Sequence, residues 1–315
     1  MRNIIMLTGE TDPHKNLAVE TALMEAIRPG DFCMYLWQNK HTVVIGRNQN
    51  AWKECRCELL REENGTLARR SSGGGAVYHD LGNLNFTFAA SPERYDLHAQ
   101  LALILSALET VGVKAEFTGR NDITVDGKKF SGNAFKHTQT CSMQHGTLLV
   151  HVDMELLSRY LRPPESKLRA KGIESVRARV VNLSEINPSL TIDAMRDLLV
   201  GAFRRKFGGA DELDPASLDV SRIYPVYSSW AWNYGETPRF DVALENRFSW
   251  GGVEILLSLA GGKVAVAEVY TDAMDETLAD QIKTALSGVD YGACLADQIT
   301  FNEELANWMR SELPC

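Results

Sequence analysis

"RRSSGGGAVYHD", Arg69–Asp80, sets two arginines and two serines before three consecutive glycines, an apolar pair and an aromatic residue. Glycine loses more backbone freedom on folding than any other residue. A folded chain therefore keeps a run of them where φ must be positive or where a ligand or another backbone comes close. Two readings stand side by side: a plain surface turn, and a loop whose side-chain-free backbone lets N–H groups converge on an anion. Arg69 and Arg70 add guanidinium donors suited to phosphate or carboxylate. The stretch is not a P-loop, because no Gly-Lys-Ser/Thr follows. Nor is it a dinucleotide fingerprint, since Gly73, Gly74 and Gly75 are contiguous and no helical pattern opens after them.

Working outward, "NLNFTF" (Asn83–Phe88) alternates Leu84, Phe86 and Phe88 with polar residues, the period of a half-buried strand. "HTVVIG" (His41–Gly46) reads as a short buried strand. Upstream, Leu17, Val19, Leu23 and Ile27 recur at helical spacing, with Asn16 as the expected N-cap and Pro29-Gly30 as the stop. Downstream, Leu97, Leu101, Ile104, Leu105, Leu108 and Val111 predict a helix ending near Gly112. In "DITVDGKKFSG" (Asp122–Gly132), Asp126-Gly127 between two β-rich stretches predicts a tight hairpin. "GTLLVHV" (Gly146–Val152) predicts a strand, and Met195, Leu198, Leu199 and Phe203 predict a helix over Ile192 to Phe207. The strands are too clustered for strict βαβ alternation, so the expected class is α+β, with mixed or antiparallel sheets and flanking helices. "WNYGETPRFD" (Trp232–Asp241) interrupts the pattern. Beyond it, "GVEILLSLAGGKVAVAEVY" and a helix from Asp275 to Leu286 form a small α+β unit of their own. The expected domains are 1–241 and 242–315.

The chain has 315 residues, 44% hydrophobic and 23% charged, values of an ordinary folded protein rather than a disordered or fibrous one. At a net charge of −8, a nucleic-acid surface would need a local basic patch against the overall sign, so no nucleic-acid partner is expected. No stretch approaches the roughly 18 apolar residues of a membrane span, and the start has no leader pattern. A cytoplasmic protein without a membrane partner is the expectation. The six cysteines, Cys33, Cys55, Cys57, Cys141, Cys294 and Cys315, are scattered and show neither a zinc pattern nor a disulfide framework. Reduced thiols follow.

Other segments offer chemistry as well. Lys128 and Lys129 fall on opposite faces of a strand, so at most one of them faces a pocket, and Ser131-Gly132 beyond are small enough for a ligand to approach. "GRND" (Gly119–Asp122) offers Asp122 as a magnesium or ribose contact, and "QHGTLL" (Gln144–Leu149) offers His145 at a strand start. Either also reads as a loop residue that satisfies neighbouring backbone groups.

Taken together, the segments resemble the lipoate–protein ligases, relatives of the biotin–protein ligases. The resemblance rests on "NLAVE" at Asn16–Glu20, "TVVIGRNQN" at Thr42–Asn50, "RRSSGGGAVYHDLGNLNFTF" at Arg69–Phe88, "GRNDI" at Gly119–Ile123, "KFSGNAF" at Lys129–Phe135, "HGTLL" at His145–Leu149 and "KGIESVRARVVNL" at Lys171–Leu183. The tail after residue 241 fits the accessory domain of bacterial members. The resemblance implies an enzyme that activates lipoate with ATP and Mg2+, then passes the lipoyl group to one lysine of an apo lipoyl domain. The implied acceptors are 2-oxoacid dehydrogenase E2 subunits or the glycine-cleavage H protein, and the implied state is a monomer. By motif position, Arg70 and the backbone of Gly75, Ala76, Val77 and Tyr78 would hold lipoyl-adenylate. Lys129 would lie at the carboxyl–phosphate junction as the catalytic residue. Ser72, Gly73, Gly74, His79, Asn121, Asp122, Ser131, Gly132, His145 and Gly146 are further candidates, with Asp122 as the magnesium ligand. The stretch from Arg162 to Arg179 reads equally as a loop closing over the adenylate and as a basic linker. Three competing readings remain. One is an ATP-independent octanoyl or lipoyl transferase using Cys141 as nucleophile, another a biotin–protein ligase, whose usual arginine–glycine segment differs, and the third a non-catalytic lipoate-binding protein.

Overall fold

A computed structural model of the chain describes residues 1–118, 121–162, 180–234, 241–260, 262–292 and 294–313. Its contacts group into two units. The first comprises Met1–Ile45, Ala51–Arg70 and Ala76–Asn233, and the second Gly46–Asn50, Ser71–Gly75 and Tyr234–Cys315.

Among its described residues the first unit carries eleven strands: β1 (Arg2–Leu7), β2 (Asp31–Trp37), β3 (Thr42–Ile45), β4 (Thr66–Arg69), β5 (Val77–His79), β6 (Asn83–Ala90), β7 (Ala115–Thr118), β8 (Asp122–Val125), β9 (Lys128–His137), β10 (Ser142–Leu149) and β11 (Asp211–Glu212). Eight form one mixed sheet in the order β11-β1-β2-β6-β10-β9-β8-β7, and β4-β3-β5 form a second, smaller sheet. In β6, Leu84, Phe86 and Phe88 face the apolar core built with the Leu97–Glu109 and Ile192–Phe207 helices. All eight β6 residues are buried, where the alternation predicts burial of one face. The second face, with Asn83, Asn85 and Thr87, is covered in part by the Pro13–Ala26 helix, so its polar residues point into the interior.

That helix is capped by Asp12, whose carboxylate accepts from the His14 and Lys15 amides, with Pro13 in the first turn where its missing N–H costs nothing. Asn16, the expected cap, is instead fully buried inside the helix and bonds elsewhere. Asp126 and Gly127 have φ of 49° and 72°, the two positive angles that a type I′ hairpin requires. The Ile192–Phe207 helix has its expected bounds and is stopped at Gly208 with φ 84°. β10 begins earlier than the predicted strand and ends at Leu149, because the Val150 and His151 amides both turn to Gly82 O.

In the second unit, β12 (Val242–Phe248), β13 (Gly251–Ala260) and β14 (Lys263–Thr271) form an antiparallel sheet. The Leu278–Leu286 helix packs on it through Leu278, Ile282 and Leu286, and β12 is a strand the sequence reading does not anticipate. The helix begins later than Asp275, whose carboxylate accepts from the Thr277 amide and hydroxyl in a local turn. Two loops from far upstream complete this unit. Thr271 N donates to Asn48 O at 2.7 Å, Gly74 N donates to Ala273 O at 3.0 Å, and Arg47 N donates to Ser72 O at 2.8 Å. Among the described residues no helix is long and apolar enough to cross a membrane.

Candidate active site

The paired arginines part company in the structure. Arg69 is a fastening: its amide donates to Asn233 Oδ1 at 2.8 Å and its guanidinium donates to Trp232 O at 2.7 Å and Asn233 O at 2.9 Å. Trp232 Nε1 returns a bond to Arg69 O at 2.8 Å. Arg70 is 6% exposed. Burial pulls its guanidinium down to about 10, and the nearby Glu20 carboxylate opposes that shift.

The glycines also differ from one another. A Cβ on Gly73 would stand 2.5 Å from Ala273 O, and Gly74, at φ 88°, gives its amide to that same carbonyl. Both are therefore held by the second unit's own packing, with Ser72 buried beside them and its carbonyl taken by Arg47 N. Gly75 is exposed with open space where a Cβ would be. In β5, the Tyr78 ring is buried against His41 and Tyr160, with centroids at 6.0 and 5.6 Å. Of the Ala76–Tyr78 stretch, Tyr78 thus offers a ligand its backbone, not its ring.

The I′ turn delivers Lys129 onto β9. Lys128 is exposed, whereas the Lys129 side chain, 36% exposed, lies over Gly132 and meets Asp122 Oδ1 at 2.7 Å. A Cβ at Gly132 would come 3.0 Å from Lys129 Nζ, so an alanine there would press on the ammonium. Ser131 is fully buried with its hydroxyl unpartnered among the described residues. Asn121 and Asn133 close on each other through reciprocal amide-to-carbonyl bonds of 3.0 Å. Gly146 is a packing requirement, since a Cβ there would fall 2.6 Å from the Phe86 ring. After the segment that begins at 163, the chain returns to this strand, where Val181 N donates to Lys129 O at 2.9 Å.

Behind these residues lies a polar interior. Trp37 Nε1 donates to Thr87 Oγ1 at 3.0 Å, and the Thr87 hydroxyl donates to Glu20 Oε1 at 2.6 Å. His145 Nδ1 meets the same oxygen at 2.7 Å. Glu20 is 2% exposed, a carboxylate on the buried face of its helix, three residues after Leu17 and three before Leu23. Sequence reasoning passed over Glu20, Thr87 and Trp37, although a charge on an apolar stripe is a signal that could have found Glu20. Asn85 Nδ2 and His79 Nε2, both buried, have no partner among the described residues. Orphaned donors in a polar interior are what a site for an acyl group with polar atoms would present.

His79 also carries a pH prediction. Burial, reinforced by the charge of Arg70 and by His145, pushes its imidazole down to about 3. The unfolded ring binds protons that the folded ring refuses, so this contribution to stability is present above the unfolded value of about 6.5 and is lost as pH falls from there toward 3. Near pH 5 the loss is about 2 kcal/mol. Urea unfolding of the wild type and of His79→Phe between pH 7 and pH 4 checks this. The wild type is expected to lose more stability than the variant, and parallel pH profiles would contradict it.

Cys141 is fully buried among Cys33, Met143 and Ala89, and burial pushes its thiol up to about 11. Burial and a raised proton affinity both work against a thiolate there, which speaks against the cysteine-nucleophile reading. Among the described residues no group of three or more His, Cys, Asp and Glu is placed to hold a metal ion. Asp122 stands as a single carboxylate facing an ammonium. Of the remaining sequence candidates, Gly119, Arg120 and residues 163–179 lie outside the described residues.

The lipoyl protein ligase A/B catalytic-domain model matches residues 12–204. The chain belongs to that family. A second model, the bacterial lipoate protein ligase C-terminus, matches residues 237–307 of the ligase. Lipoate-protein ligase A of Psychrobacter cryohalolentis is 41% identical to it over 303 residues, covering 92% of this chain and 89% of the relative. Among solved structures, P. falciparum LipL1 in complex with lipoate is 27% identical, with 98% of both chains covered and a TM-score of 0.83. An ATP-bound lipoate-protein ligase A is 26% identical over 75% of the ligase and 99% of that chain, with a TM-score of 0.65. The Thermoplasma acidophilum bi-partite lipoate protein ligase, described with its E2 lipoyl domain, is 28% identical over 76% and 98%, with a TM-score of 0.66.

Proposed function

We propose that the ligase joins lipoate to protein lysines in two steps. In the first, a lipoate carboxylate oxygen attacks the α-phosphorus of ATP, the bond to the bridging oxygen breaks, and pyrophosphate leaves lipoyl-AMP behind. In the second, an acceptor lysine amine attacks the lipoyl carbonyl, the bond to AMP breaks, and the amine proton is lost as the amide forms. The observation that carries the reading is Lys129, a partly exposed ammonium over Gly132 in a chain whose family is settled by residues 12–204. An anion attacking an anion needs fixed positive charge at the reacting centre. Lys129 and Arg70 are the groups we assign to that task, with the Gly75–Tyr78 backbone holding the adenylate. Magnesium is assigned to the departing pyrophosphate, since it binds through substrate phosphates and one or two carboxylates. Asp122, which pairs with Lys129 at 2.7 Å, is the carboxylate that would hold it. Residues 1–241 are assigned the chemistry and 242–315 an accessory role.

The acceptor we assign is an apo lipoyl domain of the 2-oxoacid dehydrogenase E2 or glycine-cleavage H type, as the Thermoplasma relative's E2 lipoyl domain supports. Mass spectrometry of such a domain incubated with the ligase, magnesium, ATP and lipoate is expected to show the mass gain of one lipoyl group. The gain depends on ATP and persists in Cys141→Ser. An unmodified acceptor in every mixture would refute the reading.

A further inference from the structure

Two backbone carbonyls fix the position of a proton in the polar interior. Asn16 Nδ2 lies 3.1 Å from Glu10 O and 2.8 Å from Gln38 O, and carbonyls only accept, so this atom is the amide nitrogen. Tyr35 OH, donating at 3.0 Å to the other end of the same amide, agrees. The third neighbour of Asn16 Nδ2, at 3.1 Å, must also accept, so Asn39 turns its oxygen there. Asn39 Nδ2 therefore faces His79 Nδ1 at 3.1 Å and donates to it. An imidazole that accepts at Nδ1 and is held neutral by burial carries its proton on Nε2. Nε2 is buried and has no partner among the described residues.

We propose that His79 Nε2–H donates to a dithiolane sulfur of the bound lipoyl group and so selects lipoate over the straight-chain octanoate. This rests on the two-step ligase reading and names the discrimination made within it. The imidazole lies edge-on to Trp37, with ring centroids 6.4 Å apart, on the interior side that also holds Glu20, Thr87 and His145. A buried N–H without an acceptor is destabilising until a ligand supplies one. The carboxyl end of lipoate is committed to the adenylate, so the ring sulfurs are the acceptors that remain, and an octanoyl tail has none. Sulfur is a weak acceptor, so the preference is modest rather than absolute. Asn39, Asn16 and Tyr35 act as positioning residues: they touch no substrate and decide which imidazole nitrogen presents the proton.

The test is the ratio of kcat/KM for lipoate to that for octanoate, read from pyrophosphate release by the full-length ligase. The wild type is expected to favour lipoate, and His79→Phe to lower the ratio on the order of tenfold, the worth of one neutral hydrogen bond. His79→Gln, which restores an N–H donor, is expected to recover part of it. A ratio that His79→Phe leaves unmoved overturns the proposal, as does an equal loss with both acids, which would place the donor at the carboxyl end. Failure of the wild type to release pyrophosphate with either acid overturns the ligase reading instead. Should His79→Phe not fold, 15N-histidine NMR of the wild type decides. The Nε2–H tautomer and a response of Nε2 to lipoate but not to octanoate are expected, while an Nδ1–H tautomer or an equal response overturns the proposal.

Discussion

Lys129→Ala is expected to lower lipoyl transfer by about 10²–10³, the usual cost of removing one fixed donor from developing charge, while Lys128→Ala keeps most of the activity. The two lysines are neighbours with the same charge and opposite surroundings. Lys128 is solvated at the hairpin, and Lys129 is folded over Gly132 against Asp122. A general dependence on positive charge near the hairpin would make the two variants alike. A dependence on an ammonium at one place makes them different by orders of magnitude. Single-turnover assays that start from preformed lipoyl-AMP separate the steps. Slowing of both the adenylation and the transfer half-reactions is expected, because phosphate charge develops in each. Equal losses for Lys128→Ala and Lys129→Ala would sink the assignment. Asp122 gives a related contrast, since Asp122→Asn frees the ammonium and removes a carboxylate together.

The features legible in the sequence are those set by neighbours along the chain. Asp126-Gly127 announces its hairpin because few residues tolerate two positive φ angles in succession. The Ile192–Phe207 helix is read correctly because Met195, Leu198, Leu199 and Phe203 keep the helical period along the chain. Strand alternation separates Lys128 from Lys129, and it is the resemblance, through the lysine two places before Ser131-Gly132, that names Lys129. What escaped depends on distant partners. Asn16 looks like a cap because it precedes an apolar run, yet its amide is spent on Gln38 O and Asn39 and leaves capping to Asp12. The glycine triplet reads as one loop, but Gly73 and Gly74 pack on Ala273, whereas at Gly75 there is space where a Cβ would stand. Nothing local to residues 71–75 reveals a partner some two hundred positions on. Arg69 and Arg70 are equivalent as letters. Their different fates are decided by Trp232 and Asn233 for one and by burial near Glu20 for the other.

Glu20→Ala is expected to destabilise the ligase by about 3–5 kcal/mol, the range for removing one partner of a buried ionic or charge-assisted pair. Glu20 Oε1 accepts from Thr87 at 2.6 Å and meets His145 Nδ1 at 2.7 Å, and Thr87 in turn accepts from Trp37 at 3.0 Å. Alanine would leave the Thr87 hydroxyl without its acceptor, strip His145 of a partner, open a cavity, and remove the negative charge that opposes the desolvation of Arg70. Glu20→Gln separates these effects. Its amide oxygen still accepts from Thr87, and its volume is nearly unchanged, but its charge is gone. Urea midpoints at pH 7 are expected in the order wild type, Glu20→Gln, Glu20→Ala. If Glu20→Gln matches the wild type, the carboxylate serves as a hydrogen-bond acceptor and its charge is immaterial to Arg70. If Glu20→Ala itself lies within about 1 kcal/mol of the wild type, the buried chain from Trp37 to His145 is not a structural support. A large loss in both variants makes the negative charge of Glu20 the condition for holding the Arg70 guanidinium in the interior.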